Sequence, residues 1–78
     1  MAIKPVSVTP IEDYKLLIVF DNSEKKIFDV KPYINGSWYG MLSDVSFFKT
    51  VRINGKTVEW ADGQDIAPHE LYELSVSA

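Results

Sequence analysis

Two alternating segments, Thr50-Val51-Arg52-Ile53 and Lys56-Thr57-Val58-Glu59-Trp60, flank the pair Asn54-Gly55, and no other feature constrains the chain as much. Asn-Gly supplies the two positive φ angles of a type I′ turn, and alternation with period two belongs to a strand with one buried face. The segment predicts a tight hairpin with Val51, Ile53, Val58 and Trp60 on its inward side. Asp62-Gly63 then marks a second reversal, with Gln64-Asp65-Ile66 as a short return strand. Pro68 opens a C-terminal helix in its first turn, where the missing N–H costs nothing. Leu71, Tyr72 and Leu74 give that helix an apolar side, and Glu70 is placed to bond back to the cap. Residues 75–78 are expected to fray.

Upstream, Val6-Ser7-Val8-Thr9 alternates as a half-buried strand, and Pro5 and Pro10 mark it as an edge or as irregular at its ends. The run Leu16-Leu17-Ile18-Val19-Phe20 has the continuous apolar character of a strand covered on both faces. Turn chemistry at Asp21-Asn22-Ser23-Glu24 and renewed alternation at Lys26-Ile27-Phe28-Asp29-Val30 make residues 15–30 a second hairpin. Between Lys31 and Met41, Pro32, Gly36 and Gly40 break every period and leave a connecting loop rich in aromatics. Asp44, or Ser43 in its place, caps a short helix that must lie against the sheet through Phe47 or Phe48, since fewer than three turns cannot persist alone.

The chain has 78 residues, which supports a single domain over 1–78 and a core that buries only about 60–65% of the unfolded surface. It contains no cysteine, so disulfides, thiolate metal ligands and thiol nucleophiles are excluded together. The N-terminal residues carry no signal-peptide pattern, and no apolar run approaches membrane-spanning length, so a cytoplasmic location is the expectation. A net charge of −3 disfavours direct nucleic-acid binding, which relies on clustered Lys and Arg. Lys4, Lys25, Lys26 and Lys31, or Arg52 and Lys56, are therefore read as solvated faces rather than basic patches.

The string Val58-Glu59-Trp60-Ala61-Asp62-Gly63-Gln64-Asp65-Ile66-Ala67-Pro68-His69-Glu70-Leu71-Tyr72 resembles the ending of a small bacterial family filed as domain of unknown function 2442. Val8-Thr9-Pro10, Tyr14 to Asp21, Phe28-Asp29-Val30, Leu42-Ser43-Asp44, Phe47-Phe48 and Val51-Arg52 follow in that family's order. Ser23 stands where the family often has Gly, and Val45 where it often has Pro. The resemblance implies an α+β domain of unassigned activity, sometimes fused to a helix-turn-helix domain and often encoded beside another small protein, in an arrangement similar to toxin-antitoxin pairs. Within these 78 residues no such DNA-binding addition is expected.

The signature residues Trp60, Gly63, Asp65, Pro68, Leu71 and Tyr72 each have a structural job in turning a strand into a helix. Asp65 is expected to accept backbone N–H bonds, and Trp60 to sit in the core with its indole N–H on an acceptor. The partner-binding candidates are Tyr33, Trp38 and Tyr39, because aromatics on a loop with glycine hinges suit interface anchors. An alternative is a small enzyme or ligand-binding site using Asp65, His69 and Glu70 near Trp60. His69 is the only histidine and the serines lack a nucleophile context, so neither a metal site nor a catalytic set is assigned. The expectation is an α+β fold: an antiparallel, meander-like sheet of five to six short strands with helices at about 44–49 and 68–74. The expected function is a non-catalytic interaction module without cofactor, an antitoxin-like or regulatory partner of a small neighbouring protein, or a homodimer associating through an edge strand.

Overall fold

A computed structural model describes residues 3–34 and 40–78. In chain order the elements are β1 (Pro5–Ile11), β2 (Lys15–Phe20), β3 (Lys25–Asp29), α1 (Lys31–Ile34), a 3₁₀ turn (Gly40–Ser43), α2 (Val45–Phe48), β4 (Arg52–Asn54), β5 (Thr57–Glu59), α3 (Pro68–Glu73) and β6 (Val76–Ser77). The fold is α+β, as expected. One antiparallel sheet runs β1-β2-β3-β6, a meander closed by the C-terminal strand, and β4 pairs with β5 in a second sheet.

Alternation sets which side chains enter the core. Leu16, Ile18 and Phe20 of β2 are buried, and Phe28 of β3 stands directly opposite Leu16. Val30, Leu42, Phe48, Val58, Trp60, Ile66 and Leu71 complete one cluster with them. Asp44 caps α2, its carboxylate accepting from the Ser46 N–H at 2.9 Å. This supplies one of the bonds that a free helix start leaves unmet. Val45 occupies the first position of α2, where a proline would also fit.

Trp60 has no exposed surface, so its indole N–H must bond within the core. It donates to the Phe48 carbonyl at 2.9 Å. The Phe48 ring lies 6.0 Å from the Trp60 ring and meets Tyr14 edge-on at 5.4 Å. Thr57, also buried, donates its hydroxyl to the Ile66 carbonyl at 2.6 Å. The Asp62-Gly63 reversal is closed by Gly63 N–H to Trp60 O at 2.9 Å and Trp60 N–H to Gln64 O at 2.8 Å.

Several expectations are corrected. The stretch from Lys31 to Met41 is not loop throughout: α1 and the 3₁₀ turn occupy its ends. Asp29 Oδ1 accepts from Lys31 N–H at 3.0 Å and Pro32 falls in the first turn of α1, the same starting device that Pro68 provides for α3. In the β4–β5 hairpin Asn54 pairs with Thr57, and the positive φ of 61° falls on Gly55, the first of two loop residues. That is the pattern of a type II′ rather than a type I′ turn. Gln64 to Ile66 contributes one bridge, Glu59 to Asp65, instead of a strand. Residues 76–77 do not fray but extend the main sheet, and Leu74 ends α3 with 60% exposure instead of packing inward. The run Leu16–Phe20 is covered on one face: Leu17 and Val19 stay half-buried and outside the core cluster.

Three residues other than glycine adopt the left-handed region: Asp13 (φ 64°), Tyr14 (57°) and Ser23 (73°). Each costs roughly 1–2 kcal/mol of backbone strain. At the β1–β2 turn this is offset by fixed contacts. Tyr14 O accepts from Val30 N–H at 3.0 Å, and its hydroxyl donates to the Ser43 carbonyl.

Glycine exchange at the two reversals tests this account. Ser23→Gly raises unfolding free energy by up to about 1 kcal/mol, because the positive φ no longer carries a side-chain penalty. Gly63→Ala lowers it by about 1–2 kcal/mol. Gly63 holds φ at 93° and nothing lies within 4 Å of an added Cβ, so that loss is conformational. Urea unfolding of the three proteins gives both signs.

Candidate functional site

The helix α3 brings most of the signature together, and its anchorage explains the residue types. Leu71 is its buried contact, fully enclosed in the core. Tyr72, on the adjacent side, meets Phe20 edge-on at 5.1 Å and donates its hydroxyl to Glu24 in the β2–β3 turn. Asn22 donates to the same carboxylate, and Lys26 Nζ lies 3.8 Å from the centre of the Tyr72 ring and 3.1 Å from the Tyr72 carbonyl. Glu70, one residue before Leu71, accepts from the Tyr33 hydroxyl at 2.7 Å and not from the cap region. The N-cap is Ala67, which brings no capping side chain. Two tyrosine–carboxylate bonds therefore hold α3, one to the hairpin and one to α1.

Electrostatics follow from these contacts. Tyr72 is the first cause that holds the Glu24 carboxyl below its ordinary value, with Asn22 second, and the same bond pushes the Tyr72 phenol up. On the opposite side of the molecule Lys31 grips Asp13 and lowers its pKa, Asp13 raises that of Lys31, and Lys15 stands 3.9 Å from the same carboxylate. Arg52 and Glu59 face each other at 3.4 Å across the second hairpin. Lys26, Lys31 and Arg52 are thus engaged with neighbours rather than gathered into a basic surface.

Of the partner-binding candidates, Tyr33 is half-buried and packs at 5.7 Å from Phe28; Trp38 and Tyr39 lie outside the described residues. Tyr33 lines a hollow of about 330 Å³ with Phe28, Asp29, Pro32 and Leu74. A larger hollow of about 400 Å³ opens beside the strained β1–β2 turn, walled by Pro10, Ile11, Tyr14, Val45 and Phe48 and edged by Glu12, Asp13 and Lys49. The pattern alone marks neither Ile11 nor Val45 as an exposed apolar residue, and it puts Leu74 on the apolar side of α3. Their exposures of 36%, 53% and 60% arise at element ends, where periodicity no longer dictates a side.

The alternative reading comprises Asp65, His69 and Glu70 near Trp60. Trp60 is enclosed, Asp65 and His69 are exposed, and Glu70 is committed to Tyr33. Among the described residues no group of three or more His, Asp or Glu side chains could hold a metal ion, and no helix is long and apolar enough to cross a membrane. Trp60 lies in the core, Gly63 in the reversal, Pro68 in the first turn of α3 and Leu71 is buried, while Tyr72, read from the sequence as part of the helix's apolar side, reaches Glu24 with its hydroxyl.

The model of the family described as Protein of unknown function (DUF2442) matches residues 5–77, and the chain belongs to that family. No curated protein and no solved structure matches it.

The Glu24–Tyr72 clamp carries a pH signature. A carboxylate whose folded-state pKa is depressed contributes stability that is complete above its unfolded value and is lost as pH falls through the folded one. Glu24→Gln therefore flattens the acid limb of the stability profile below the ordinary Glu value of about 4.3, leaving the limb due to Asp13 in place. Urea midpoints recorded from about pH 6 to about pH 2 measure the change in slope.

Proposed function

We propose that this member of the family is a non-catalytic protein-interaction module, an antitoxin-like or regulatory partner of a small neighbouring protein, acting in the cytoplasm. The observation that carries the reading is the hollow beside Tyr33. Its volume of about 330 Å³ suits one or two apolar side chains of a partner, and Leu74 stands 60% exposed at its wall. An aromatic fixed by a hydrogen bond, next to an exposed aliphatic, is the composition of an interface anchor rather than of a reaction centre. Asp29 lines the same hollow, and Glu73 precedes Leu74 in α3. The complementary partner presents an apolar side chain flanked by Lys or Arg. The proposal takes in Trp38 and Tyr39 on their aromatic character and their closeness to Tyr33 in the sequence.

Co-expression with the product of the adjacent gene tests the reading. A complex is expected, with Tyr33→Ala, Leu74→Glu and the pair Trp38→Ala/Tyr39→Ala each weakening it at least tenfold, about 1.4 kcal/mol, while circular dichroism stays unchanged. Unaltered affinity in all three variants would remove the contact from this surface. Metal content and turnover of candidate substrates by the His69→Ala protein address the enzyme alternative, whose support would be a loss confined to that variant.

A further inference from the structure

The four-stranded sheet has a second face that the core does not use. Strand pairing places Ser7, Thr9 and Ile11 of β1, Lys15, Leu17 and Val19 of β2, and Lys25, Ile27 and Asp29 of β3 on it, with Val76 of β6 opposite Ile27. One cross-strand row reads Thr9-Leu17-Ile27-Val76. Leu17, Val19 and Ile27 are absent from the residues packed on the core, and Val76 is 63% exposed. The helices and the second hairpin contribute Leu42, Phe48, Val58, Trp60 and Leu71 to the core cluster on the other face instead. An antiparallel sheet with one solvated face ordinarily alternates apolar and polar residues, and β2 departs from that rule at both Leu17 and Val19.

We infer that this face is the contact between two copies of the chain, stacked sheet on sheet about a two-fold axis that crosses β3 at Ile27. The occupant is argued from charge. Lys25 and Asp29 lie two residues either side of Ile27 on the same face and are both exposed. A two-fold perpendicular to β3 lays Lys25 over the partner's Asp29 and, by symmetry, Asp29 over the partner's Lys25. The surface is thus complementary to itself, as an isologous interface requires. Leu17, Ile27 and Val76 form the apolar centre between these two charge pairs. The chain's acidic excess is not concentrated here, since the face carries Lys15 and Lys25 against Asp29 alone. That balance removes the general repulsion between two chains of net charge −3 from the contact, and it is too weakly basic to seek an anionic lipid surface.

Edge pairing is the less suitable route to a dimer. β1 holds Pro5 and Pro10, which offer no donor, and β6 is two residues long. The face is small as well: strands of seven, six, five and two residues, about 4.8 Å apart and rising about 3.3 Å per residue, present roughly 300 Å² of flat area per copy. That lies at the low end for a specific contact, so the dimer is weak and concentration-dependent. This surface is separate from the Tyr33 hollow except at Asp29, and the two readings stand or fall independently.

Sedimentation equilibrium from about 1 to about 500 μM is the experiment, that span covering weak dimers. The wild-type chain is expected to pass from monomer to dimer within it. Leu17→Glu remains monomeric throughout with unchanged circular dichroism, while Leu74→Glu, at the Tyr33 hollow, dimerises as wild type does. Lys25→Asp and Asp29→Lys each weaken the dimer at least tenfold by opposing like charges. An equimolar mixture of those two variants recovers association, because only the mixed dimer restores both opposite-sign pairs, and the double variant Lys25→Asp/Asp29→Lys recovers it alone. A wild-type chain monomeric over the whole range overturns the inference, as does a dimer that survives Leu17→Glu. A mixture no more associated than its components overturns the two-fold arrangement. None of these results bears on capture of the neighbouring protein through Tyr33 and Leu74.

Discussion

The hydrogen bond from Trp60 to the Phe48 carbonyl is the constraint around which the remaining structure is arranged. An indole taken wholly out of water loses about 1–3 kcal/mol if its N–H goes unpaired. A helix end solves the problem, because the last carbonyls of a helix have no partner within it. Phe48 is the last residue of α2, and its carbonyl, which accepts a long 3.4 Å bond from the Val51 N–H, is where the Trp60 donor finds its acceptor. The bond therefore ties the second hairpin to a helix too short to persist by itself. It also fixes the Phe48 ring against Tyr14, which reaches back to the carbonyl of Ser43 just before that helix.

From that anchor the second half of the signature acquires its spacing. Trp60 ends a strand, so the chain must reverse at once. Gly63 provides the positive φ, and Gln64 returns its carbonyl to the Trp60 N–H. Ile66 then comes under Thr57, whose buried hydroxyl takes its carbonyl, and Pro68 starts the helix one residue after the next. Leu71 and Tyr72 arrive on the sheet with a helical turn between them and the reversal. One side chain fills the core and the other reaches Glu24 in the turn between β2 and β3. These residues are each accounted for by packing or backbone geometry, which is why a family can share them without sharing a reaction.

How much of this is legible in the sequence depends on whether a signal is local. The two hairpins, the Asp44 cap and the enclosure of Trp60 follow from turn chemistry and from period-two patterns, and they stand in the structure. The misses share a different cause. Pro32 reads as a breaker and Pro68 as a helix start, yet both sit in the first turn of a helix; what separates the readings is the apolar pattern downstream, which is clear after Pro68 and confused after Pro32 by glycines. Leu74 and Val76 look like a helix stripe running into a frayed tail. Their true placement depends on β3 having a free edge, a fact that no local window contains. Glu70 resembles a capping residue by spacing, but Tyr33, 37 positions away, takes its carboxylate. Of the partner-binding candidates only Tyr33 is placed, and the hollow beside it also needs Leu74, whose exposure is set by tertiary contacts.

The run Leu16–Phe20 shows the same division between local and global information and bears on function. Five consecutive apolar residues describe a strand with two faces out of water, and the core formed by the described residues covers one. A domain this small has one layer of helices and a second hairpin to spend on its sheet, and both lie on the side of Leu16, Ile18 and Phe20. Had the outer side no role, charged or hydroxyl residues at 17 and 19 would cost the core nothing and would guard the sheet against unwanted association. Aliphatic residues there, with Ile27 and Val76 beside them and a lysine and an aspartate placed symmetrically about the centre, match a surface whose second cover is supplied from outside the chain. In this fold the signature stabilises the inner layer, and the residues that remain for recognition are the ones that the signature leaves out.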